Sequence, residues 1–158
     1  MKLYHGTNRS FDVIDLMKSK PNKDFGRGFY LSPDYEQALN MAHIKTEQLQ
    51  EGEPVVMTYS IDDEEMSKLH TLVFEEYSED WARFILANRN SSIATNVHDY
   101  DIVIGPIADD RVGVQLWKYE NQLIDLPTLV KKLKYMKGMT IQYFFGTEKA
   151  ISLLKLIK

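Results

Sequence analysis

KLYHGTNRSF, residues 2–11, and DFGRGFYLSPDYEQA, residues 24–38, are the two stretches from which the fold can be worked out. The first predicts a short strand over residues 2–5 that stops at Gly6 and carries His5 at its end. Glycine has no Cβ, so a ligand can approach its backbone closely. A neutral imidazole both donates and accepts a hydrogen bond, which suits a pair of sugar hydroxyls. The simpler interpretation of His5 is a histidine that is satisfied within the protein or exposed.

The second stretch contains Gly26 and Gly28 just before an apolar segment, residues 29–31. Glycines at this spacing permit unusual φ angles and close approach, and the apolar segment predicts a short strand. Tyr30 in that strand offers a flat ring for stacking on an aromatic ligand. A core tyrosine that follows a glycine-rich turn is the alternative.

A third stretch, MTIQYFFGT at residues 139–147, predicts a strand near the C-terminus. Alternation places Ile141, Tyr143 and Phe145 on one face and Gln142 on the other. A glutamine in so apolar a strand needs hydrogen-bond partners, because a buried unpaired amide is costly. Backbone groups or a ligand could supply them.

The remaining patterns mix strands and helices. A helix is expected from Ser32-Pro33 to about residue 50, since serine caps helices and proline suits their first turn. The other expected elements are a strand at 55–61, a strand at 71–74, a helix capped by Ser78, a strand at 100–106, a hairpin at 111–120, a helix at 126–136 ended by Gly138, and a short helix capped by Thr147. Without regular βαβ alternation, this order favours an α+β fold with mainly antiparallel sheets. The sequence also lacks the usual glycine-rich nucleotide cradles.

Composition favours one compact domain over residues 1–158. The chain has no cysteine, which excludes disulfides and thiolate chemistry and favours a reducing compartment. No apolar run approaches the roughly eighteen residues of a membrane span, and the N-terminus lacks a signal peptide's apolar region, so we expect a cytoplasmic protein without a membrane partner.

The net charge of −4 argues against broad nucleic-acid binding. A local group of lysines is interpreted as a solvated helix face in preference to a nucleic-acid patch: Lys131, Lys132, Lys134 and Lys137.

Together, the three stretches resemble the ADP-ribosyltransferase superfamily. YHGT resembles the His-Gly-Thr/Ser motif of its first strand, FGRGFYLSPDYEQA its glycine-containing segment that runs into a helix, and IQYFF the strand with its third catalytic position. Nearly the whole chain, including YDIVIGPIADD and QYFFGTEKAISLL, is similar to an uncharacterised bacterial (DUF3990-like) family placed in that superfamily. The resemblance implies split antiparallel β-sheets with flanking helices around one NAD site.

The resemblance also implies a role for individual residues. His5 would bind the adenosine ribose, the Gly6 backbone would pair with the nicotinamide amide, and Tyr30 would stack on the nicotinamide ring. Gln142 stands where many members carry a glutamate that holds the 2′-hydroxyl of the nicotinamide ribose. The implied catalytic residues are His5, Tyr30 and Gln142. The implied cofactor-binding residues are His5, Gly6, Thr7, Phe25, Gly26, Gly28, Tyr30 and Ser32, and no metal is expected.

Two positions depart from the family pattern. Gln142 is neutral, and Met41 replaces a second tyrosine that sandwiches nicotinamide in the polymerases, so polymer synthesis is not expected. Cleavage of the bond between nicotinamide and ribose passes through an oxocarbenium-like state, as glycoside cleavage does. The site must mainly hold the ribose and stabilise developing positive charge. A glutamine can orient a hydroxyl but adds no full charge, so turnover is predicted to be slower than with a glutamate.

The sequence thus favours a mono-ADP-ribosyltransferase that uses NAD on a protein or nucleic acid, and the resemblance implies a toxin with an antitoxin partner. The first alternative is a catalytically degenerate binding module on the same fold. RNA 2′-phosphotransfer ranks third, because none of the other histidines replaces Tyr30. Asp109 and Asp110 are weak candidates for binding an acceptor or a metal, and Glu148 for replacing the glutamate; a turn and a helix start explain them more simply.

Overall fold

The computed structural model describes residues 1–93 and 95–158. Its strands are β1 (Lys2–Thr7), β2 (Phe29–Leu31), β3 (Val55–Ser60), β4 (Thr71–Val73), β5 (Ile102–Pro106), β6 (Ile141–Phe145) and β7 (Lys155–Ile157). Its α-helices are α1 (Tyr35–Leu49), α2 (Asp63–Ser67), α3 (Glu79–Arg89), α4 (Asp110–Glu120), α5 (Leu126–Lys134) and α6 (Glu148–Ile151). A short 3₁₀ helix covers Leu16–Lys18.

The strands form two separate sheets. One has the order β1-β3-β7 and is antiparallel throughout, and the other has the order β2-β6-β5-β4. In the second sheet only the pairing of β4 with β5 is parallel. The predicted α+β fold with mainly antiparallel sheets is therefore confirmed.

The two sheets meet at Tyr4 and Ser32. The backbone N–H of Tyr4 donates to the Ser32 carbonyl at 2.8 Å, and the Ser32 N–H donates to the Tyr4 carbonyl at 2.7 Å. This bridge joins β1 to the chain directly after β2. It brings the two glycine-containing stretches together.

The four-stranded sheet separates two hydrophobic cores. Alternation along β6 sends Phe144 to one face and Phe145 to the other, and both rings are fully buried. Phe144 packs in a core with Phe25 and Trp81, under α3, α4 and α5. Phe145 packs in a second core that includes Leu3 of β1.

Helix α1 lies along β1, but it does not begin as predicted. Its N-cap is Asp34, whose carboxylate accepts from the Glu36 N–H at 2.9 Å, and Ser32 instead accepts from the Asp34 N–H at 3.0 Å. The helix ends at Leu49, close to the predicted end. Two small residues of the helix, Ala38 and Ala42, are buried, while Tyr35 and Leu49 are exposed.

The predicted hairpin at 111–120 is wrong, because these residues form α4. Val112 and Leu116 lie one helical turn apart and are fully buried, which is helical periodicity. A valine and a glycine near its start weaken the local helical signal.

Helix α5 ends at Lys134, four residues before the predicted stop at Gly138. The short elements α2 and β7 were not expected. Within the described residues, no helix is long and apolar enough to cross a membrane.

Candidate functional site

His5 is tied to β2 by one of its ring nitrogens. Its Nδ1 lies 2.7 Å from the Tyr30 carbonyl oxygen. A carbonyl can only accept, so the neutral ring carries its proton on Nδ1 and its Nε2 has a free lone pair. Burial lowers the pKa of His5 to about 4, so the ring is neutral at pH 7. His5 therefore presents a hydrogen-bond acceptor, and its donor is already used.

His98 shows what a histidine satisfied by the protein looks like. Its Nε2 donates to the Phe25 carbonyl at 2.7 Å, and its Nδ1 accepts from the Tyr100 N–H at 3.1 Å. Both ring nitrogens of His98 are used within the fold. His5 differs because only one of its nitrogens has a partner among the described residues.

The Tyr30 hydroxyl is engaged by its own loop. It donates to the Gly26 carbonyl at 2.6 Å and accepts from the Phe25 N–H at 3.0 Å. The ring packs edge-on against Phe144 at a centroid distance of 5.3 Å. The ammonium group of Lys23 lies 5.1 Å from the ring centroid. What Tyr30 can offer a ligand is therefore its ring, on the side that Lys23 covers.

Gln142 carries an unsatisfied amide. It is half-buried on β6, opposite Gly105 of β5, and its Nε2 is buried without a hydrogen-bond partner in the described part of the chain. Alternation places its side chain on the same face as Phe144, which pairs with Tyr30 across β2 and β6. A buried donor without a partner is costly, and a ligand oxygen would remove that cost.

The backbone of Gly6 also faces the junction of the two sheets. Backbone groups of successive residues in an antiparallel strand point to opposite sides. The N–H and C=O of Tyr4 point to Ser32, so those of Gly6, two residues later, point to the same side and away from β3. They provide one donor and one acceptor near His5.

The three predicted catalytic residues lie on β1, β2 and β6, but their side chains do not share one face. The His5 ring stacks on Phe29 at a centroid distance of 4.2 Å, on the opposite face of β2 from Tyr30 and Gln142. His5 contacts the Tyr30 backbone directly, and Gln142 shares a face with the Tyr30 partner Phe144. Within the described residues, no hydrogen bond joins His5 to Gln142.

The other predicted cofactor-binding residues are mostly occupied by protein contacts. A Cβ on Gly28 would lie 2.2 Å from the Phe144 ring, and one on Gly26 would lie 2.6 Å from Asn96 Oδ1. Phe25 is fully buried, and Thr7 is 2% exposed, with its hydroxyl donating to the Arg9 carbonyl at 3.3 Å. Contacts within the protein therefore account for Phe25, Gly26, Gly28 and Thr7 independently of any ligand.

The acidic candidates lie at helix starts. Asp109 caps α4 by accepting from the Val112 N–H at 3.0 Å, and it pairs with Arg111. Asp110 and Glu148 are the first residues of α4 and α6, and Glu148 is exposed. No group of three histidine or acidic side chains that could hold a metal is found in residues 1–93 and 95–158.

Two lysines near the site had no signal in the sequence. Lys23 lies over the Tyr30 ring, and the positive charges of Lys23 and Lys45 both act on His5. Lysines in a loop and on an exposed helix face follow no spacing that marks a site. Two surface cavities, of about 540 and 480 Å³, lie elsewhere, beside Leu123 and Trp117 respectively.

Comparison with known proteins adds a family but no function. Residues 1–156 match the sequence profile of the family described as "Protein of unknown function (DUF3990)". No curated protein and no solved structure matches the chain. Because the match extends over almost all of its 158 residues, the chain belongs to the DUF3990 family.

Proposed function

We propose that this chain is an NAD-dependent mono-ADP-ribosyltransferase that modifies a macromolecule, either a protein or a nucleic acid. The observation that carries the proposal is the buried Gln142 amide, which has no partner in the described residues and shares a face with the Tyr30 partner Phe144. In a strand as apolar as β6, that donor is costly unless a ligand supplies an acceptor.

The polar groups left free by the fold suit a ribose and an amide. His5 Nε2 accepts, the Gln142 amide donates, and the Gly6 backbone offers one group of each kind. Sugar hydroxyls both donate and accept, and the nicotinamide carboxamide does the same. The ring of Tyr30 adds an apolar face of the kind on which an aromatic ring stacks.

NAD supplies the group to be transferred when its bond between nicotinamide and ribose breaks and the electron pair leaves with nicotinamide. The acceptor then bonds to the ribose carbon and loses a proton. In this proposal His5 holds the adenosine ribose, Gln142 holds the nicotinamide ribose, and the ring of Tyr30 stacks on the nicotinamide. Gln142 stabilises positive charge on the sugar through its dipole alone, which supports single transfer over polymer synthesis.

The central experiment measures nicotinamide release at saturating NAD. We expect Gln142→Ala to lower turnover by roughly tenfold to a hundredfold with little change in NAD binding, because the hydrogen bond strengthens as charge develops. Gln142→Glu should raise release at a pH where the buried carboxyl is ionised.

Gln115 provides a matched control. Gln115→Ala removes another partly buried glutamine with an unpartnered amide oxygen, on α4 and outside the proposed site. It should change stability and leave nicotinamide release unaltered. Equal background release of nicotinamide by the wild type and all variants, with NAD still bound, would reject the proposal that the chain is a transferase.

That outcome would favour the second candidate, a catalytically degenerate NAD-binding module on the same fold. The neutral Gln142 in place of a glutamate is the feature that favours it. A toxin role with an antitoxin partner rests on the resemblance alone. Co-expression with a neighbouring gene that relieves growth inhibition would test it.

A further inference from the structure

A group of lysines surrounds the predicted site in a chain that is acidic as a whole. The net charge is −4, yet Lys20 and Lys23 lie in the loop that precedes β2, and Lys45 lies on α1. The Lys23 ammonium group is 5.1 Å from the centre of the Tyr30 ring. Positive charge therefore lies beside Tyr30 in a chain whose net charge is negative.

Helix α1 brings Lys45 to the same place. A Cβ on Gly6 would meet the backbone of Ala38 and Ala42, so this face of α1 lies directly on β1 at the residue after His5, on the other side of the strand from the His5 ring. Lys45 follows Ala42 by three residues, which places it on the same face of the helix, one turn further on.

The positive charges of Lys45 and Lys20 both disfavour the charged form of Lys23, and the negative charge of Asp24 offsets them only in part. None of the three lysines has an acidic partner within 4.0 Å among the described residues. Asp24, the nearest candidate in sequence, is held by Arg89 at 2.7 Å. Burial, together with the charges of Lys45 and Lys20, lowers the pKa of Lys23. An anion between these groups would turn an unfavourable arrangement into a favourable one.

We propose that Lys20, Lys23 and Lys45 form an anion subsite beside His5 and Tyr30 that binds the diphosphate of a dinucleotide. The identity of the whole ligand rests on the proposed function, but the diphosphate-binding role can be tested by itself. Lysine is a compact point charge that binds phosphate without the fixed geometry of arginine. Attraction of Lys23 to the diphosphate also withdraws it from the Tyr30 ring, which frees that face for a ligand ring.

The test measures binding of inorganic pyrophosphate and of ADP by calorimetry at low salt. We expect Lys23→Gln and Lys45→Gln each to weaken binding by about tenfold, as the loss of one charge-assisted contact predicts. Binding should also weaken strongly at about 1 M salt, where charges are screened beyond about 3 Å. Lys132→Gln removes an exposed lysine on α5 and should have no effect.

Failure of the subsite and failure of the proposed function give different results. Absence of pyrophosphate binding by the wild type, an equal loss in Lys132→Gln, or tighter binding in Lys23→Gln would overturn the subsite. NAD binding that persists unchanged in both lysine variants would overturn it as well, while the transferase proposal stands. Lysine-dependent binding of pyrophosphate without any NAD binding would support the subsite and reject the transferase.

Discussion

At the scale of single residues, hydrogen bonding separates side chains that hold the fold from those left free. The two ring nitrogens of His98 and the hydroxyl of Tyr30 have protein partners at 2.6–3.1 Å. His5 Nε2 and the Gln142 amide do not, within the described residues. His98 and the Tyr30 hydroxyl should therefore matter for stability, and His5 and Gln142 for ligand binding.

The first prediction concerns His5 and pH. Its pKa is about 4 in the folded chain and about 6.5 when unfolded, so the unfolded chain binds more protons between these values. The stabilising effect of keeping His5 neutral is complete above pH 6.5 and is lost as pH falls towards 4. From pH 7 to pH 5 the wild type should lose about 2 kcal/mol more free energy of unfolding than His5→Gln.

Urea unfolding of both proteins at the two pH values measures this difference. All other titrating groups, including His98, are common to the two proteins and cancel in the comparison. Parallel losses in wild type and variant would show that His5 titrates normally.

The second prediction concerns the Tyr30 hydroxyl. Tyr30→Phe keeps the ring but leaves the Phe25 N–H and the Gly26 carbonyl without their partner. We expect a loss of about 1–3 kcal/mol in the free energy of unfolding, and a smaller loss of ligand binding than in Tyr30→Ala. Tyr35→Phe, at an exposed tyrosine of α1, is the control and should be nearly neutral. Thermal denaturation that is the same for both Phe variants would contradict the anchoring role.

At the scale of elements, each helix starts at a side chain that caps it. The caps are Asp34, Asp62, Ser78, Asp109, Asp125 and Thr147. Thr147 does more, because its hydroxyl also donates to the buried Asp101 at 2.7 Å and so ties α6 to the start of β5. Capping is local chemistry, so Ser78 and Thr147 could be predicted from sequence.

The contact between α1 and β1 depends on one glycine, which gives the third prediction. A Cβ on Gly6 would lie 2.0 Å from the Ala38 carbonyl oxygen and 2.8 Å from the Ala42 nitrogen, both backbone atoms that cannot move independently. Gly6→Ala should therefore cost roughly 2 kcal/mol or more, since helix and strand must separate.

Gly113 is the matched control on α4, where an added Cβ meets nothing within 4 Å. Gly113→Ala should raise the free energy of unfolding by about 0.5–1 kcal/mol, because alanine is the better helix former. Both values come from urea denaturation. A Gly6→Ala protein as stable as the wild type would mean that α1 can shift freely on the sheet.

At the scale of the whole molecule, two cores share one sheet. Phe144 and Phe145 of β6 enter opposite cores, and Asp101 joins the loop before β4 to α6 through the His70 N–H and Thr147. Because the same strands support both cores, neither core should remain folded without the other.

The fourth prediction is that residues 1–158 unfold as one cooperative unit. Trp81 is fully buried in the core of Phe144, while Trp117 is exposed, so Trp117→Phe leaves fluorescence that reports on that core alone. Its midpoint in urea should coincide with that of far-ultraviolet circular dichroism, which reports on both sheets. Separate midpoints would indicate two independently folding parts.

Sequence by itself determined most strands, most helices and the three stretches that meet at the site. These depend on alternation, helical periodicity and capping, which act over a few residues and can be detected in a single chain. The sequence-based prediction was wrong at α4, because a valine and a glycine near its start weaken the helical signal. It was also wrong at the start of α1, where Asp34 is the N-cap in place of Ser32.

Only the tertiary structure decided which groups the fold leaves free. Whether His5 keeps a lone pair depends on Tyr30, twenty-five residues away, and the roles of Gly6 and Gly28 depend on α1 and on Phe144. The approach of Lys23 to the Tyr30 ring likewise follows no local pattern. Hydrogen bonds and charge interactions between distant segments depend on distances of a few ångströms, and chain folding alone sets those distances.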